Sequence, residues 1–199
     1  MKLKGFLRRQ SIVADRLFVE GTVVARSLRA KILVGRGVIV ADTMLADYLV
    51  FTGSINAERG VGDTLIMMGD VRIGELRGRK ITVEGRLRSS SIRAEKFVLR
   101  ASSLTRIGFL AAKNVEIASR PPALRGKPRI HVGELQAERL RAEFLVAAKV
   151  SGGRVELGPM CSVSSLMYCR SVSMDNTVML GAPPVRICVD HRPSMMDRS

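Results

Sequence analysis

Tryptophan is absent from this chain, and aromatic residues make up only 4% of it, six Phe and two Tyr among 199 residues. A core of ordinary width uses such rings as bulky filler. This core must instead be built from Val, Leu, Ile, Met and Ala, in narrow layers. Long apolar runs are also missing, and none approaches the roughly 18 residues of a membrane-spanning helix. The three cysteines, Cys161, Cys169 and Cys188, are odd in number and match no zinc or redox spacing. Buried thiols in a reducing cytoplasm are the expectation. The segment Met1–Arg9 carries charge with no apolar stretch behind it, unlike a secretory signal. Only two histidines occur, His131 and His191, and neither accompanies a Ser or Cys in a nucleophile motif. No P-loop or GxGxxG unit is present. The reading is therefore no enzyme, no cofactor, no metal and no small-molecule substrate. What the chain does have is basic charge, 33 Lys+Arg against 18 Asp+Glu for a net +15, and 46% apolar residues. That apolar fraction is too high for a disordered chain.

Glycine carries the main signal. Gly21, Gly37, Gly53, Gly69 and Gly85 recur every 16 residues, and Gly133 falls seven such rows after the first. Other columns agree. Val23, Ile39, Ile55, Val71 and Leu87 follow two residues later, with Leu135. Leu33, Leu49, Leu65, Ile81 and Phe97 follow at twelve, with Leu145. Ala30, Ala46, Gly62, Gly78 and Ala94 form an all-small column, with Ala142. Steps of two between apolar columns are strand alternation. Steps of three break it twice per row and mark bends, and the glycine column supplies a third.

A sixteen-residue unit of three short strands cannot bury its own inner face, but a stack of copies can. The expected fold is thus all-β: a single-stranded parallel β-helix, triangular in section, with about 16 residues per coil and about ten coils. The expected organisation is a basic and apolar tail at 1–11, a β-helix at 12–181, and a tail at 182–199. Near 100–118 an 18-residue step fits better. Three prolines within 119–128 predict an excursion at a corner, since proline donates to no ladder.

The segments VEGTVVA at 19, FTGSINA at 51, VEGRLRS at 83 and HVGELQA at 131 share an apolar-x-Gly-x-apolar-x-small cadence. In this the chain resembles the bactofilins, polymer-forming cytoskeletal proteins. The resemblance implies a right-handed β-helix that associates end to end without nucleotide. It also implies that a short apolar N-terminal tail can bind membrane.

Four sets of residues follow as candidate sites. The open ends of a tube expose unpaired backbone groups, which points to a polymerisation interface at Ile12, Val13 and Leu17 on the first coil. On the last coil the same argument selects Val172, Met174, Val178 and Leu180. Lys2, Leu3, Lys4, Phe6, Leu7, Arg8 and Arg9 form the candidate membrane tail. Val34, Val50, Ile66 and Val98, interrupted by Thr82, have outward parity and form a candidate lateral ribbon. Arg29, Arg77, Arg93, Arg125 and Arg141 fall in one sixteen-residue column, a candidate basic stripe. The expected partner is the chain itself, as a cytoplasmic homopolymer at the inner face of the membrane. An anionic membrane surface, nucleic acid and polysaccharide are further candidates. The alternative reading is a non-polymerising adaptor that binds an anionic polymer along the arginines.

Overall fold

The structure is a computed structural model describing residues 1–119 and 130–187. Seven strands follow in order: β1 Lys2–Ala101, β2 Thr105–Ser119, β3 Ile130–Ala142, β4 Leu145–Leu157, β5 Ser162–Met174, β6 Met179–Leu180 and β7 Val185–Arg186. Each pairs in parallel with its successor through β6, and β7 lies beside β5. Fully extended, the 100 residues of β1 would reach about 330 Å. Instead β1 winds upon itself. A Cβ placed on Gly37 would overlap the carbonyl oxygen of Gly21, and one on Gly53 that of Gly37. Ion pairs bridge the same step, as in Arg79–Asp63 at 2.6 Å and Lys31–Asp15 at 3.0 Å. The molecule is a parallel β-solenoid, as the repeat predicts.

Inside β1 the sixteen-residue period is geometric fact. Each turn has six inward positions in three pairs: Val23 and Ala25, Leu28 and Ala30, Leu33 and Gly35. Leu28, Leu33, Leu49, Leu65, Leu76 and Ile81 are fully buried. Burying each large aliphatic side chain contributes about 1.5–3 kcal/mol, and the tube also encloses two rings, Phe51 and Phe97, both fully buried.

Beyond β1 the even period fails. Arg88 pairs with Arg106, Thr105 with Ile130, Ile130 with Leu145, Val146 with Ser162, and Ser162 with Met179. The five steps from β1 to β6 average about 18 residues and make about five turns, so a stack of about ten equal sixteen-residue coils does not describe the molecule. The 18-residue step expected near 100–118 is present. The slips have one address. Two of the three corners in each turn keep two residues between inward positions, apart from one bulge opposite Arg154. The third corner varies. It separates Val83 from Leu87, Leu99 from Thr105, Ile117 from Ile130, Ala142 from Leu145 and Leu157 from Cys161.

That corner is where the glycine column lies. Gly21, Gly37, Gly53, Gly69 and Gly85 have φ between +124° and +136°, a region other residues rarely adopt. Later turns use Phe144 (φ 55°) and Met160 (φ 60°) instead. Gly133 is not in the column. It stacks on Gly108, which stacks on Ser90, five positions away from the phase expected of it. The repeat alone leaves its row ambiguous, because the three inward pairs of a turn recur every five residues and resemble one another. Leu135 and Ala137 therefore occupy the columns of Leu28 and Ala30.

Both expected boundaries move. Residues 2–11 are not a tail: they belong to β1, with Gly5 beneath Gly21 and Leu3 and Leu7 packed against the core. At the other end, Val185–Arg186 pair with Met167–Tyr168, so the chain does not leave the solenoid at 182. The excursion, apart from Ser119, and residues 188–199 lie outside the described residues.

Candidate functional site

The first turn begins at Lys2, where the phase of the later turns puts it. Leu3 and Leu7 turn inward and are half-buried, while Phe6 points out and is 70% exposed. Lys2, Lys4, Arg8 and Arg9 are exposed on the same turn, and Lys4 pairs with Glu20 at 3.6 Å. The proposed membrane-tail residues are thus strand residues of the terminal turn. A signal for this was in the sequence, because Gly5 precedes Gly21 by 16. The Met1 ammonium donates to the Arg16 carbonyl at 2.6 Å, and the Phe18 amide donates to the Met1 carbonyl at 2.9 Å, closing the turn.

Of the expected end residues, Ile12 and Leu17 are buried core members of this first turn. Val13 is 71% exposed and points away from the core, so it does not face along the axis with them. At the far end Val172, Val178 and Leu180 are half-buried and Met174 is exposed. β6 covers Ser162–Val163 and β7 covers Met167–Tyr168. Among the described residues, the stretch Val172–Met174 has no strand above it.

Of the expected lateral ribbon, Val34, Val50 and Ile66 are half-buried, whereas Val98 is buried to 9% exposure. Phe18, missed in the sequence, extends it downward. Above Val98 the column becomes Glu116, Arg141 and Glu156, which ends the apolar stretch.

The basic stripe is not continuous. Arg29, Arg77 and Arg93 are exposed, but Leu45 and Val61 stand between the first and second at the sixteen-residue step. Arg93 pairs with Ala111, which pairs with Gln136, so Arg141 belongs to a different column, on Glu116. The slips of 18 and 25 residues carry it away. Arg125 lies outside the described residues.

Charge on the sides is organised across turns. Arg36 bonds Glu20, and Arg79 grips Asp63 through two nitrogens at 2.6 and 2.8 Å. These donors hold the Glu20 and Asp63 carboxyls below their ordinary range. Cys161 is buried, and burial pushes its thiol pKa up, while Cys169 is half-buried. Cys188 and His191 fall outside the described residues. Among the described residues no helix is long and apolar enough to cross a membrane, and no three His, Cys, Asp or Glu side chains gather as a metal set.

Comparison with protein-family models, curated proteins and solved structures finds no match to the chain.

Proposed function

We propose that the chain is a structural subunit that polymerises end to end without nucleotide, in the manner of bactofilins. One observation carries this reading: the solenoid presents parallel strand edges at its extremities. Among the described residues none lies beneath the first turn, which half-exposes Leu3 and Leu7. Among the described residues the last is only partly covered, by two-residue strands. Edges of this kind pair with other edges unless blocked. A copy stacked on either end would continue both the backbone ladder and the apolar columns. Three inward pairs per turn fit a triangular section, and the general preference of parallel crossovers supports a right-handed tube. The reading assigns no catalysis, metal or cofactor.

In this reading the filament is cytoplasmic. Contact with the membrane runs through Phe6 and the cations of the first turn. Multiplication along a filament makes such weak contacts count. The adaptor alternative loses its main support, since the arginine stripe it invoked is broken.

Electron microscopy of the purified protein in nucleotide-free buffer tests the proposal. Filaments are expected. Particles that stay monodisperse at high concentration overturn it. Leu7→Glu and Leu180→Glu, which put a carboxylate on each end, are expected to block elongation.

A further inference from the structure

The slips that break one basic column build another. Arg88 pairs with Arg106, and Arg106 with His131, on successive turns. Arg72 lies one step below Arg88, the step that stacks Gly69 under Gly85. Four basic side chains thus stand in one column at strand spacing, about 4.8 Å apart. Arg72 is held by Asp70 at 3.1 Å. Among the described residues Arg88, Arg106 and His131 have no carboxylate partner. Beside them Ser90, Gly108 and Gly133 stack without bulk. This leaves an open trough of about 480 Å³ lined by Arg106, His131 and the two glycines, with Val146 and Ala148 on its upper side.

We propose that this column is a binding face for the phosphate backbone of duplex nucleic acid, engaged without regard to sequence. The guanidinium fork matches phosphate oxygens in pairs. A net charge of +15 and a pI of 10.9 supply the long-range attraction. The aromatic ring of the trough's neighbourhood, Phe109, lies under Arg93 with the guanidinium carbon 5.8 Å from its centroid. It offers no free platform for an unstacked base, which favours a duplex over a single strand. Above His131 the column ends at Val146, so the cationic part of the trough is confined to Arg106 and His131 with Arg88 below them. The inference is independent of whether the chain polymerises.

Fluorescence anisotropy with a labelled 20-base-pair duplex of mixed sequence, between 50 and 200 mM salt, tests it. The double variant Arg88→Gln/Arg106→Gln is expected to bind about tenfold more weakly at 100 mM salt. Its plot of log affinity against log salt should be shallower by about 2. Arg29→Gln/Arg139→Gln, with the same change in net charge, should alter affinity less than about threefold. The single Arg106→Gln, at an exposed position, should lower the slope by about 1 and serves if the double variant unfolds. Equal loss in the control pair, tighter binding of oligo-dT, binding only to anionic lipid vesicles, or no duplex binding would each overturn the proposal.

Discussion

At the scale of the residue, one hydrogen in place of a methyl group decides whether the variable corner closes. Gly37 has φ of +126°, and a Cβ there would collide with the Gly21 carbonyl of the turn below. Gly5 also has positive φ, +85°, but nothing lies within 4 Å of where its Cβ would be. Strain alone acts at Gly5, whereas strain and collision act together at Gly37. Gly37→Ala is therefore expected to cost about 3 kcal/mol and Gly5→Ala about 1 kcal/mol, read from urea unfolding midpoints. Equal costs would show that collision with the neighbouring turn contributes nothing. Thr105 shows the opposite kind of exception. It is fully buried in the column of Leu87 and Ile130, and its hydroxyl accepts from the Leu87 amide and donates to the Ser103 carbonyl. A satisfied hydroxyl is tolerated in an apolar column.

At the scale of the turn, the sequence made the inward columns legible because stacking forces like on like. Leu33, Leu49 and Leu65 needed no structure to be placed inside. What it hid was phase. Three similar inward pairs per turn let Gly133 and Arg141 be assigned five positions away from where pairing puts them. Only the length of each variable corner fixes the phase, and that length follows no rule in the sequence. The corner's tolerance is testable. Gly-Ser-Gly-Ser inserted between Ser102 and Ser103 should cost less than about 1 kcal/mol. Inserted between Arg26 and Ser27, at a constant corner, the same segment should cost at least about 2 kcal/mol more. Similar costs at both places would contradict the division into fixed and variable corners. The turns are also tied by Glu20–Arg36 and Asp63–Arg79. These carboxyls have folded pKa values below the ordinary 4.5 and 3.8. Their contribution is present above those values and is lost as pH falls through the lowered ones. The melting temperature should therefore drop below about pH 4.5, and Asp63→Asn should flatten the drop. A decline beginning near pH 6 would point to other groups.

At the scale of the whole molecule, the position of the first turn reverses an expectation. Were residues 1–9 a tail, their removal would leave the solenoid and its assembly untouched and affect only membrane contact. As a strand they do structural work: Gly5 lies beneath Gly21, Lys4 pairs with Glu20, and Leu3 and Leu7 pack on the core. Cutting them away uncovers Val19 and Val23, both nearly inaccessible in the intact chain, and opens the turn that Met1 closes against Arg16 and Phe18. Two half-buried leucines together contribute about 2–3 kcal/mol, so the truncated protein should lose about that much stability in urea unfolding. Its new end would be a ragged partial turn, Gln10–Arg16, without a complete inward set to match the opposite end of another copy. Filaments seen with the intact chain should shorten or vanish. If the truncated protein kept both its stability and its filaments while losing only vesicle co-sedimentation, residues 1–9 would be a tail in solution. The axial contact would then have to begin at Ile12, where the repeat alone placed it.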